Sequence, residues 1–431
     1  MRLLLVAAAL AIGAVVTGEP TSAAAVPPTL ESEVRRVRPL IEATYRSIHE
    51  HPELGKQETA THALLLAAMQ KIGYTQFVES TLAPTAVIAV LDTKRPGPVI
   101  ALRAEMDARP DTEPASHSPR SLIAGRMHSC GHDAHAAMLL GAADILWNNQ
   151  SSLTGKIVFV FQPAEETPGG ADDILKEDIL GRLGVRAIFA QHSVANMPVG
   201  TVSVSPGPTL AGSNTFKLVV EGKDSHAAQP SDGSDVPAAL ATLVRGLVDL
   251  PARRLDISNR PAIISVTYMH VGDTTALSKL QSTGTAWGTI RAFEDVAPTP
   301  RSDSSISTLI EQYLAGAAAS LRVTTNWSLR KGSPVTRNDQ DLFDRIAPPL
   351  RGSWPGRFDT APYKGMFSED FAYYTQSIPA LYFGVGVMRD TLGTVGVHSS
   401  RFTVHPAALG EGARLMVLVA ELATAGTTQL R

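Results

Sequence analysis

Four short, unbroken apolar stretches punctuate the first half of the chain, at 86–91, 99–103, 157–161 and 187–191. Runs of that length read as strands covered on both faces, the pattern of a parallel sheet. Between them the apolar spacing becomes helical, most clearly over 134–147. A helical region at 31–68 precedes the first strand, broken around His51-Pro52-Glu53-Leu54-Gly55. The alternation predicts an α/β domain whose mostly parallel sheet is flanked by helices. After Pro206-Gly207-Pro208 the texture changes. Positions 215–221 and 263–270 alternate, 286–293 reads as a further strand, and 235–250 and 302–321 carry helical spacing. Strand–helix–strand–strand–helix–strand is the order of a small α+β, ferredoxin-like layer. Strand-like 380–387 marks a return to α/β character. The expected organisation is one domain from 26–210 and 331–431, interrupted by a small one at 211–330.

The first segment has a different character. Arg2 precedes an apolar run at 3–16 and a small-residue stretch ending Ala23-Ala24-Ala25. This reads as a secretory signal peptide over 1–25, with an uncleaved anchor as the competing reading. The run is shorter than the ~20 residues that span a bilayer as a helix. Export to the periplasm or medium is expected, with no stable membrane insertion after cleavage. The full 431 residues suit two domains. With 44% apolar and 18% charged residues, composition is that of an ordinary globular enzyme. A net charge of −3 without long runs of one sign gives no reason to expect nucleic acid or an anionic membrane as partner. Cys130 is the only cysteine, so no disulfide forms within one subunit.

Candidate metal ligands cluster in four places: His128-Ser129-Cys130-Gly131-His132-Asp133 with His135, opening a helix after a loop; Glu165-Glu166 after 157–161; His192 after 187–191; and His398-Ser399-Ser400 after a glycine-rich stretch. Strand ends of an open parallel sheet are where ligands bind. A lone histidine is more often structural than ligating, and adjacent glutamates are usually a solvated turn. Two carboxylates directly after an apolar strand, however, are costly to bury unpaired. Cys130 and His132 flank one glycine. The mixture of thiolate, imidazole and carboxylate suits Zn, Mn, Co or Ni better than Ca or Mg.

The segments MHSCGHDAHAAMLLGAA, FQPAEE followed by GGA, HSVANMPVG, SHAAQP, FSEDF and HSSRF resemble the amidohydrolase branch of metallopeptidase family 20. That branch includes hippurate hydrolases, N-acyl-amino-acid amidohydrolases and auxin-conjugate hydrolases. The resemblance runs in order from His49 to the last helix. It implies a catalytic domain holding two divalent metal ions, with the inserted domain as a lid that also forms a homodimer. It assigns Cys130, His132, Glu166, His192 and His398 as metal ligands and Glu165 as general base. Asp107 is similar to the aspartate behind a ligand histidine, where it would fix the tautomer. His226, on the lid, would stabilise the oxyanion, reaching the partner subunit's site. A surface aspartate and a surface histidine are the competing readings of Asp107 and His226. A small amide such as an N-acyl amino acid is the implied substrate, with a dipeptidase or carboxypeptidase on the same site and a silent binding protein as alternatives. A binding protein would not need Glu165.

The lid departs from the family's pattern. Ser278-Lys279-Leu280-Gln281 stands where relatives carry Asn-x-Ile-Pro, and Ser231-Asp232 follow Pro230 where a histidine is common. Arg291 keeps its place and could hold a substrate carboxylate; a strand arginine paired with an acid is the competing reading.

Overall fold

The structure, a computed structural model, describes residues 29–297, 305–361 and 364–425. The leader read at 1–25 lies outside them. Eight strands form the large sheet, in the order Phe77–Val78, Val87–Asp92, Lys156–Gln162, Val99–Glu105, Ala187–Pro198, Ala380–Met388, Thr201–Ser203, Arg357–Asp359. Its centre is parallel: Lys156–Gln162, Val99–Glu105, Ala187–Pro198 and Ala380–Met388 all run one way.

Alternation within each central strand feeds two cores. Phe159 and Phe161 pack with Ile100, Leu102 and Phe189 against the helices Leu30–Glu50, His132–Asn148 and Pro406–Thr424. Val158 and Val160 face the other way, with Ala101, Ile188, Ile174 and Phe371. Covering on both faces is why these strands lack a polar side. The strand expected at 86–91 does not join the parallel set. Val87–Asp92 pairs antiparallel with Lys156–Gln162. Residues 93–98 are too few for the crossover that a parallel connection requires, so the chain reverses.

The second sheet is wholly antiparallel, in the order Ala262–Val271, Thr283–Ala292, Gly212–Glu221, Thr324–Lys331. Phe216, Leu218 and Val220 point inward with Ile264 and Ile290 to meet Leu240 and Leu243 of Val236–Arg254 and Ile310 and Leu314 of Ile306–Leu321. Asp235 and Ser305 start those helices by accepting hydrogen bonds from the Ala238 and Thr308 N–H groups. The second helix begins at Ile306; positions 302–304 lie outside the described residues. Both connections to the large domain lie side by side, the Ser213 N–H donating to Ser333 O and the Gly332 N–H to Ser213 O.

Candidate metal centre and active-site cleft

The Cys-Gly-His turn owes its shape to Gly131. Its φ of +88° is left-handed, and a Cβ there would sit 3.2 Å from the Phe402 ring. With glycine in that position Cys130 and His132 turn inward at the start of His132–Asn148, both buried. Asp107 lies just past Val99–Glu105, and Glu165 and Glu166 just past Lys156–Gln162. His192 lies within Ala187–Pro198 rather than ending it, because pairing with Ala380–Met388 continues to Pro198. His398 comes from the loop before the last helix, its N–H donating to Ser129 O at 2.8 Å. All converge at the carboxyl end of the parallel strands, where ligands bind in open α/β sheets.

Among the described residues, two of the donor groups that form there share one sulfur, and a third joins His132 to Glu165 and Glu166. Cys130, His132 and His192 place their ligand atoms within 4.8 Å of one another, and so do Cys130, Glu166 and His398. Cys130 Sγ lies 3.4 Å from His192 Nε2, near the roughly 3.5 Å separating a thiolate and an imidazole on one tetrahedral ion. The His192 Nδ1 is 3.0 Å from Ser193 O, which fixes the proton there and leaves Nε2 as a lone-pair donor. Burial, helped by His135, lowers the His192 pKa to about 3, so the ring stays neutral. Hydrogen bonding orients His132 in the same way: Nδ1 lies 3.0 Å from Asp107 O and 3.1 Å from its Oδ1, while the buried Nε2 has no hydrogen-bond partner among the described residues. Here burial, which lowers the ring's pKa, is outweighed by Cys130 and Asp107, which raise it. Asp107 Oδ2 accepts the Glu166 N–H at 3.0 Å, so one aspartate positions two neighbouring donors.

Glu166 is charged. Burial opposes ionisation, but His398, His132 and Arg109 outweigh it and hold the pKa at about 2. Its Oε1 lies 3.0 Å from His398 Nε2 without hydrogen-bond geometry, as expected of two donors aimed at a common centre. Burial pushes the Cys130 thiol well above its ordinary range. A thiolate at this place therefore calls for a cation at the sulfur. Orphaned nitrogen, unpaired carboxylate oxygen and buried sulfur together fit divalent metal.

Glu165 faces the same space. Burial first, then the charges of Glu369, Asp370 and Glu166, push its pKa well up, with His132 pulling the other way. Nearby cations would restore the carboxylate.

Behind the donors lies a buried ion network that motif reading did not assign. Arg103 bonds Glu105, Glu369 at 2.9 Å and Asp370 at 2.6 Å. Glu105 Oε2 lies 2.9 Å from His135 Nδ1, whose Nε2 meets Ser193 at 2.9 Å. Arg103 and His135 hold the Glu105 carboxyl well below its usual range against the effect of burial. The signal was present: Arg103 and Glu105, two apart at the end of an apolar strand, share one face and need partners there.

A cleft of about 840 Å³ opens above the donors, between the two domains. Its near wall carries Cys130, Glu165, Glu166, His192 and His398; Arg291, Arg330 and Lys331 line the lid side. Arg291 donates to Ser368 Oγ at 2.7 Å and forms no salt bridge with an acid among the described residues. The paired-strand reading therefore fails for Arg291. His226 is exposed on the lid strand Ser225–His226 and does not line this cleft.

The sequence profile of Peptidase family M20/M25/M40 matches residues 101–422. The chain is similar to IAA-amino acid hydrolase ILR1-like 2 of Arabidopsis thaliana, 35% identical over 86% of this chain and 82% of that one. It is 31% identical to Thermostable carboxypeptidase 2 of Saccharolobus solfataricus over 91% and 97% of the two chains. A crystal structure of a dinuclear metal-binding peptidase from Bacillus subtilis aligns with a TM-score of 0.77 at 26% identity, covering 90% of this chain and 99% of that one.

Proposed function

The chain belongs to peptidase family M20/M25/M40, a metal-dependent hydrolase of amide bonds, and from that membership we propose that it cleaves N-acyl amino acids. The observation that carries this reading is the pairing across one cleft of a metal-donor wall bearing Glu165 with Arg291, a cation with no acidic partner among the described residues. Two divalent ions would be held by Cys130, His132, Glu166, His192 and His398, with the sulfur shared. When bound, such ions make water acidic enough to attack near neutral pH and polarise the amide carbonyl. Glu165 takes the proton of the attacking water and returns it to the leaving amine. Arg291 holds the amino acid's carboxylate, fixing the amide over Glu165. The Asp107 carboxylate keeps the His132 proton on Nδ1. Export through residues 1–25 and a homodimer built by the lid, in which His226 serves the partner subunit's site, belong to the same proposal.

Glu165→Gln tests it. Turnover of the best N-acyl amino acid should fall about 10²–10⁴-fold, while metal content by mass spectrometry stays that of the parent. Near-parental turnover would remove Glu165 from its role. A carboxypeptidase on the same site is the second reading, favoured by the archaeal relative and by a cleft roomier than one amino acid requires. N-acetyl and N-benzoyl amino acids assayed beside dipeptides, with Zn, Mn and Co, separate the two.

A further inference from the structure

A second, smaller cavity of about 190 Å³ adjoins the cleft. His192, Phe367 and Val397 line both spaces, so the wall between them contains a metal-ligand candidate. Away from that wall, Val194, Ala195, Val204, Leu210 and the Tyr382 ring line the cavity together with the uncharged polar residues Ser193, Asn196, Ser203, Ser205 and Thr209. The Tyr382 hydroxyl is turned away, donating to Glu369 at 2.7 Å. Val204 and Leu210 are 3% and 1% exposed, so these walls are fixed by core packing. Among the described residues, no Asp, Glu, Lys or Arg lines the cavity, in contrast to the cationic lid side of the cleft. An amide held at the donor wall thus has an anion-binding space on one side and an uncharged, largely apolar one on the other.

We infer that this cavity takes the acyl group of the substrate and limits it to a short chain or a single ring. The inference rests on the N-acyl amino acid reading. The size argument is direct: an apolar cavity of about 150 Å³ takes up benzene. At 190 Å³ the cavity holds an acetyl, butyryl or benzoyl group, whereas a bicyclic indole-acetyl group overfills it. The Arabidopsis relative is named for an indole-acetyl conjugate, so the two chains would differ in this dimension. Gly396 lines the exposed rim of the cavity, and a Cβ added there meets no atom within 4 Å. Its φ lies outside the left-handed region, so a side chain fits its backbone.

The test uses the metal-loaded enzyme and one amino acid carrying acetyl, butyryl, benzoyl or indole-3-acetyl groups. Benzoyl should exceed indole-acetyl by at least roughly tenfold in kcat/KM, the range in which a pocket rejects excess apolar volume. Gly396→Val should lower the benzoyl-to-acetyl ratio about tenfold, and Val204→Ala should raise the indole-acetyl-to-benzoyl ratio. Opposite movements from filling and emptying one cavity are not produced by general destabilisation. Equal rates for benzoyl and indole-acetyl, or ratios unmoved in both variants while the substrates are still cleaved, overturn the assignment. Cleavage of none of the four conjugates, with dipeptides hydrolysed, instead overturns the underlying N-acyl reading.

Discussion

At the scale of single residues, Asp107 shows how position converts an ordinary carboxylate into a determinant of metal affinity. One oxygen holds the His132 ring and the other the Glu166 backbone, so both donors depend on a side chain that faces neither the cleft nor solvent. Asp107→Ala should weaken metal binding about 10–100-fold, read by competition with a chromogenic chelator, with Asp107→Asn falling between. Unchanged affinity in the alanine variant would show that the ring is oriented by the Asp107 carbonyl alone. Chain spacing brought out the donors at this scale because Cys130 and His132, and Glu165 and Glu166, are close in sequence. The Arg103 network was hidden because its charges lie 266 and 267 positions from their partners Glu369 and Asp370. The apolar strand around Arg103 and Glu105 tells that partners are needed, but only the fold tells which they are, bringing Glu369 and Asp370 to an arginine at zero exposure.

At the scale of elements, the strands and helices were readable where one periodicity held for a whole segment. The unbroken apolar strands and the alternating lid strands are such cases. Strand direction was not, since 86–91 looks like its parallel neighbours and only the short connection at 93–98 reverses it. The end of the Ala187–Pro198 strand was missed for a related reason. Gln191, His192 and Ser193 interrupt the apolar run while still buried, and the residues beyond them leave the core but keep their partner strand. The turn into His132–Asn148 is the element on which the centre depends most. Gly131→Ala would place a side chain in a left-handed residue at a cost of about 1–2 kcal/mol, with Phe402 in its way. Urea unfolding of the metal-free variant should shift by that amount, and metal affinity should fall as Cys130 and His132 lose alignment. A variant as stable as its parent would mean that the turn relaxes without strain.

At the scale of the whole molecule, the lid has two exposed features that one subunit does not use. Ala262–Val271 is an edge strand, and Ile263, Tyr268, Met269 and Trp287 stand exposed on the sheet. Apolar side chains beside an open edge are a setting in which chains associate. His226 lies on the same domain, away from its own cleft. If the lid carries His226 into a partner's site, two crippled subunits should repair each other. Glu165→Gln lacks the base but keeps His226; His226→Ala lacks the oxyanion donor, a loss of about 10²–10³-fold, but keeps Glu165. Co-refolded in equal amounts, half of the random pairs are mixed, and each mixed pair has one complete site. Activity should then recover to about a quarter of the parent's, far above the mean of the two variants assayed apart. Recovery no greater than that mean would confine each cleft to its own subunit and leave Arg291 and its lid neighbours as the only contribution of the small domain to catalysis.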